Sequence, residues 1–540
     1  MRLFILLGLF LSSMAANAQK DTTYTNLSDT TINLENVRHV DFSNQQLTAL
    51  PTELLACVNL KTLDLSNNAL TELPKEIKQL TQLETLVLNN NPLEGLPKEM
   101  KALKALKELN LNQAVKPNII NAVFGILTKL PELTTLKLSN NALTALPNNI
   151  KSLKKVKVLE LNNNALAHLP KNMAKMPAIH TIALANNPNL DFRHSFEEIS
   201  HVKTLRKINL SNNNLTAIPK EVMDCRYISH LDLSNNKITD LPDPMTQLIR
   251  MKTLNVENNE IAVISEAFSL LEGLQEWRMN NNRVTRLPGG IGDMMELQRL
   301  ELNNNALSSL PEGMRRLTSL EVLDLGKNNI AKIGFNIGNL RGLRVLNLSQ
   351  NNPSDLEVKT LVSIRGLEEL NLARNSSLDW ETSLKSIAEM KQLKSLNIAG
   401  NKLEALPTTI AQLTQLEMLN LSNNSLSTLP EEMAKMPVLK DINFNNSTNI
   451  EKIPNSIIEL KSLERLSLQN CINLDLESVL TMLEKRPLLE LDLSLTSAKE
   501  FPSEIPNLDI KKLILKNTAL SQEELERIQK KLPSTMLIYE

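Results

Sequence analysis

The chain has 540 residues, 59 of them basic and 60 acidic, and aromatic side chains make up 3%. So even a balance lacks the basic excess or stripe with which proteins meet nucleic acid, and no nucleic-acid partner is expected. The length alone suggests about three or four domains. The chain repeats at a fixed period, however, and a repeat array grows in one dimension without separate cores.

In chain order, residues 1–18 read as a secretory signal peptide. Arg2 supplies a positive start, Leu3–Leu11 is an apolar run of nine, and Ser12–Ala18 is small and polar, ending Ala16-Asn17-Ala18. That order predicts cleavage after Ala18. Nine residues fall short of the roughly 20 that span a bilayer as a helix. Residue 19 is Gln rather than Cys, so lipid attachment is not indicated, and no later apolar run is long enough to span a membrane. The mature chain is expected to be exported to a periplasm, a cell surface or the medium.

Residues 19–36 read as an amino-terminal cap, a degenerate first unit. From residue 37 to 520 the chain is an array of 21 units, mostly 23 residues long. "LKTLDLSNNAL" at Leu60–Leu70 returns at Leu83–Leu93, Val156–Leu166, Leu297–Leu307 and Leu416–Leu426 in close variants. The Leu-x-Leu segment alternates apolar and polar, which predicts a short strand with one buried face. Successive strands are expected to run parallel.

The asparagine after the strand recurs as Asn68, Asn91, Asn141, Asn164, Asn187, Asn213, Asn236, Asn259, Asn282, Asn305, Asn328, Asn351, Asn375, Asn401 and Asn424. Its amide both donates and accepts, so it can satisfy backbone groups that a change of direction leaves unpaired. The other units carry Gln45, Ala114, Ser447, Cys471, Thr496 and Thr518 in that slot. A Leu-Pro step recurs from Pro51 through Pro454 to Pro502. Proline disfavours helix in the residue before it, so the outer side is expected to hold only a short turn around P-x-x-I. Units at Asn187–Val202, Asn375–Met390 and Cys471–Lys485 replace that step with Leu-Asp and helix spacing. Asp191, Asp379 and Asp475 are placed to cap local helices. The unit at Leu106 departs too, with a 27-residue spacing and no asparagine.

Residues 521–540 read as a carboxy-terminal cap. Ser521 and Glu524 form a capping box, and Leu525, Ile528 and Leu532 share one face. The tail from Ser534 is expected to trail over that helix. Cys57, Cys225 and Cys471 are few and odd in number, which argues against a disulfide framework. Cys57 and Cys225 lie seven repeats apart, about 35 Å at about 4.8 Å per strand. All three read as buried free thiols.

These units resemble leucine-rich repeats of the L-x-x-L-x-L-x-x-N-x-L-x-x-L-P-x-x-I-x-x-L kind over roughly residues 37–520. The units are similar to those of Ras-suppressor and Scribble-type scaffolds and of many secreted bacterial repeat proteins; the apolar start favours the secreted bacterial group. The resemblance implies an α/β solenoid, a right-handed horseshoe with a parallel sheet on its concave face and a mostly irregular convex side. It also implies a non-enzymatic role in binding a protein or peptide partner, with no cofactor. The alternative is an intracellular signalling scaffold with an uncleaved amino terminus. A third class is an enzyme or toxin subunit that uses the array for targeting.

Residues between the strand leucines are expected to project from the concave sheet. Candidate binding residues there are Glu257, Arg278, Glu301 and Asp324, followed by the amide run Asn347, Asn371, Asn397, Asn420 and Asn443. The competing reading is that Arg278 pairs with Glu301 across adjacent strands and the amides bond one another. Trp277 and Trp380 are expected to be packed. His194 and His201 are seven residues apart, about 10 Å along a helix, too far for one metal. "PGGIGD" at Pro288–Asp293 follows no buried strand and lacks the ending of a phosphate loop. No catalytic or metal residue is assigned.

Overall fold

The computed structural model describes residues 22–332, 337–351, 358–453, 456–484, 486–496, 500–502 and 508–539. The expected signal peptide and Pro454 lie outside the described residues. The chain divides into two units, Met1–Asn259 and Glu260–Glu540.

Besides the two-residue strand Asp240–Leu241, the first unit carries eleven short strands among its described residues, from Thr23–Tyr24 to Thr253–Asn255. All pair in parallel, and the register advances by one repeat at each step, as in Leu63 with Leu86 and Leu86 with Leu109. The middle residue of each strand points inward. Leu63, Leu86 and Leu109 are fully buried, and so are the leucines that follow two residues later. Each coil therefore contributes one layer of leucine to a continuous core that it could not bury alone.

Besides the two-residue strand Val263–Ile264, the second unit carries twelve strands among its described residues, from Glu276–Arg278 to Met536–Ile538, again all parallel. The last of them corrects the expectation for the tail. Met536–Ile538 does not trail over the terminal helix; it pairs with Ile510–Ile514 as one more strand. The helix Gln522–Lys531 occupies the outer side of its coil and turns Leu525 and Ile528 inward. The chain therefore returns to the sheet edge after it, where unpaired backbone groups are available.

The outer segments are thin, as the Leu-Pro step requires. Pro74 is extended (φ −69°, ψ 154°) and leads into the 3₁₀ turn Lys75–Gln79, which buries Ile77. The same turn recurs at Lys98–Ala102, Asn148–Ser152, Glu312–Arg316 and Thr408–Gln412. Helices appear where Leu-Asp replaces Leu-Pro, at Phe192–Phe196, Trp380–Ile387 and Leu476–Leu483, and a one-turn helix, Lys220–Met223, also follows Pro219. The caps of the three Leu-Asp helices are the expected aspartates, accepting from the backbone N–H of His194, Thr382 and Ser478 at 3.0–3.2 Å. The long unit at Leu106 uses its extra residues for the helix Ile120–Leu127, which buries Val123, Phe124 and Leu127. Trp380 is buried on its helix, and its indole donates to the Asn375 carbonyl at 3.3 Å.

Cys57, Cys225 and Cys471 are free and buried. Burial pushes their thiols up, to about 11, about 12 and about 11. The thiolate is the reactive form. Native protein at about pH 8 is therefore expected to resist a thiol–disulfide reagent, with all three thiols titrating only after unfolding. A single fast-reacting equivalent in the native state contradicts this. Among the described residues no helix is long and apolar enough to cross a membrane.

Candidate functional site

Two side chains of every strand stand on the face opposite the core, as the alternation of a strand demands. In the central strands they are pairs such as Thr62 and Asp64, or Met418 and Asn420. Each Asp or Asn in the second of these columns bends its oxygen back onto the N–H two residues on, at 2.8–3.2 Å. This is an Asx turn. It ends the strand and starts the change of direction.

The ladder asparagine completes the turn, and most of its partners lie in the preceding coil. Asn164 donates to the Leu138 carbonyl one coil back at 3.0 Å and to its own Leu161 carbonyl at 2.9 Å. Its amide oxygen accepts from the N–H of Asn141 and Leu143, both one coil back. Asn91, Asn236, Asn328 and Asn424 repeat the pattern. Between the two devices one residue per coil takes the left-handed conformation, as at Asn67 (φ 56°), Asn163 (φ 55°) and Asn304 (φ 57°). Asparagine tolerates that region better than other side chains with a Cβ.

The amide run is arranged differently from the competing reading. Asn371, Asn397, Asn420 and Asn443 do not bond one another. Each carboxamide oxygen is taken by its own turn, at Ala373, Ala399, Ser422 and Asn445. The local bond is shorter in reach than the strand spacing of about 4.8 Å, so it wins. The Nδ2 groups of these four residues have no partner among the described residues. They stand in register on neighbouring strands. Asn347, at the start of the run, instead donates to Asp324 at 2.8 Å.

Asn397, Asn420 and Asn443 line a groove of about 420 Å³ on this face, with Met418, Asp441, Arg465 and Ser467. Met418 is 45% exposed there. Arg465 is held by Asp441 at 2.8 Å, and this charge-assisted bond keeps the guanidinium above its ordinary value.

The charged candidates fall in both units. Glu257 belongs to the first unit, on the turn after Thr253–Asn255, and its N–H caps onto Asn255. Arg278, Glu301 and Asp324 sit on successive strands of the second unit. Arg278 does not pair with Glu301. It turns to Glu276, two residues along its own strand, at 3.0 Å. Glu301 is taken by Arg299 at 2.9 Å and by the Asn280 amide at 3.1 Å. Residues two apart on a strand share a face, so each arginine finds its carboxylate without reaching across. Exposed pairs of this kind contribute about 0–1 kcal/mol.

The glycines of Pro288–Asp293 form an outer turn and serve packing. A Cβ on Gly292 would lie 2.2 Å from the Gly313 carbonyl of the next coil. His194 lies on the helix Phe192–Phe196 and His201 on a separate 3₁₀ turn, Ile199–His201. No group of three potential metal ligands occurs among the described residues.

Parallel coils, an asparagine turn and a leucine core define a solenoid of repeats. Family models agree. The leucine-rich repeat region model matches residues 16–138 and 360–495. The leucine rich repeat model matches 131–188 and 203–261, and the two-copy model 318–360. The chain belongs to the leucine-rich-repeat proteins.

No curated protein sequence matches it. Among solved structures it is similar to a leucine-rich-repeat protein of Leptospira interrogans, at 27% identity over 96% of this chain and 100% of that one, with a TM-score of 0.46. It is similar to an internalin of Listeria monocytogenes at 19% identity, over 65% of this chain and 89% of that one, with a TM-score of 0.46. It is also similar to TLR13 in its complex with ssRNA13, at 17% identity over 96% and 94% of the two chains, with a TM-score of 0.52. That last likeness carries the fold.

Proposed function

We propose that the chain is an exported, non-enzymatic scaffold that binds a protein or peptide segment on the sheet face of its second unit. The observation that carries this reading is the row of amide donors at Asn371, Asn397, Asn420 and Asn443. Their oxygens are locked in turns, so their N–H groups are aimed and unused. Met418 adds an exposed apolar contact in the same groove. Fixed polar donors around an apolar anchor cost little ordering on binding. Arg278, Glu301, Asp324 and Asn347 extend the surface along the same unit, and Glu257 offers a contact in the first.

The test exploits the turn. Asn397→Asp and Asn420→Asp together keep the turn acceptor and remove the donors. Aspartate already fills this column at Asp232 and Asp324, so the fold is expected to survive. A photo-crosslinking residue at Met418 is expected to trap a protein in the native setting, and the double variant to abolish the adduct without shifting Tm. An undiminished adduct in the double variant sinks the reading. Export rests on the pattern of residues 1–18. Mass spectrometry of the native chain is expected to find Gln19 at the amino terminus; an intact Met1 supports the intracellular alternative instead.

A further inference from the structure

On the second unit, the edge where each strand begins carries a column of alternating charge. Arg344, Glu368 and Lys394 stand on successive coils and are joined at 2.8 and 3.0 Å. Glu417 and Lys440 continue the series at 2.6 Å, and Glu464 follows on the next coil. Glu368 is held below the ordinary carboxylate value by bonds from Lys394 first and then Arg344. The alternation calls for a base next. Leu489 stands there instead, 45% exposed.

Beside Leu489 lies Arg486, and the two line a cleft of about 350 Å³ with Lys461, Glu464, Asp509 and Lys511. Arg341 and Arg365 hold the same slot in earlier coils and are exposed, whereas Arg486 is half-buried. The Arg486 Nε is shut off from solvent and has no hydrogen-bond partner among the described residues. No carboxylate among the described residues lies within ion-pair range of it. Burial alone acts on the guanidinium, drawing its pKa below the ordinary value. The rest of the guanidinium remains accessible from the cleft, and its charge, with no carboxylate beside it, attracts an anion that a ligand brings.

We propose that this cleft is a second binding site, which takes a peptide carboxylate flanked by an apolar residue. The guanidinium fork matches a planar carboxylate in two parallel bonds. Leu489 offers the neighbouring residue an apolar seat. Glu464 and Asp509 on the walls oppose a doubly charged phosphate more than a singly charged carboxylate. The site lies at the strand-start edge and owes nothing to the amide row on the sheet face.

The full chain is titrated with acetyl-Asp-Leu-amide, acetyl-Asn-Leu-amide and inorganic phosphate, followed by saturation-transfer NMR. The Asp peptide is expected to bind, with the Asn peptide and phosphate weaker by about tenfold or more. Arg486→Met keeps the stem and removes the fork. It is expected to weaken the Asp peptide by about tenfold or more and leave Tm unchanged or raised, since no native partner is lost. Leu489→Ser is expected to weaken the same peptide by a smaller factor. Equal binding of the two peptides, tighter binding of phosphate, full binding to Arg486→Met or to Leu489→Ser, or a fall in Tm on Arg486→Met would each overturn the proposal. The Asn397→Asp/Asn420→Asp variant is expected to bind the Asp peptide normally, so the two sites fail separately.

Discussion

Asn187→Ala is expected to lower the stability of the first unit by about 2–5 kcal/mol, read by urea denaturation, with each orphaned buried group costing about 1–3 kcal/mol. Asn187 is fully buried. Its amide donates to the Leu161 carbonyl at 3.0 Å and to its own Leu184 carbonyl at 3.2 Å, and accepts from the Leu166 N–H at 3.3 Å. Leu161 and Leu166 belong to the preceding coil. Removing the amide therefore strips two backbone groups of a neighbour, where water cannot replace the bonds. The loss is expected to show as faster hydrogen exchange across Leu161–Leu166 as well as across the mutated coil. Asn68→Ala is the control. Asn68 makes the corresponding bonds to Phe42, Leu47 and Leu65 and one more, from the Gln45 N–H, but is partly exposed, so water can stand in. If both variants cost the same, burial is not what gives the ladder its weight.

Trp277 supports the second large effect. It fills a leucine slot in the strand Glu276–Arg278 of the second unit, is fully buried, and stacks on Phe268 with ring centroids 5.6 Å apart and an interplanar angle of 16°. Its Nε1–H is buried and has no acceptor among the described residues. Trp277→Ala is expected to cost about 3–5 kcal/mol through the cavity it leaves. Trp277→Phe keeps a ring against Phe268 and removes the orphaned N–H, whose desolvation costs about 1–3 kcal/mol. That gain offsets much of the lost volume, so the Phe variant is expected to lie far closer to the parent than the Ala variant. Equal losses for the two would mean that the indole N–H is not a liability in the native state.

Much of this was legible in the residues. The Leu-x-Leu alternation placed the strands, Leu-Pro placed the thin outer turns, and Leu-Asp marked three coils that became helical. Those signals are local, and each acts within a few residues of itself. The first asparagine of each Asn-Asn pair went unread, although its doubling with the ladder residue was visible. Its role is a left-handed backbone conformation, which Lys327, Arg374 and Leu495 adopt in other coils, so residue type alone does not mark it. The middle column of the sheet face was read as a possible ligand surface or a chain of mutual bonds. It is first of all a set of turn initiators, and only the leftover amide hydrogens are available to a partner.

By itself, then, the chain determined its period, its coil and the inward layer of leucine, because these follow from alternation and proline sterics within single repeats. Only the stacked structure decided where the polar groups point. Arg278 facing Glu276 rather than Glu301, the ladder amides reaching back one coil, and Arg486 left with no acid are outcomes of geometry between coils. A repeat carries its own folding rules, but the hydrogen-bond partners of its polar side chains are set by what the neighbouring coil brings within about 3 Å.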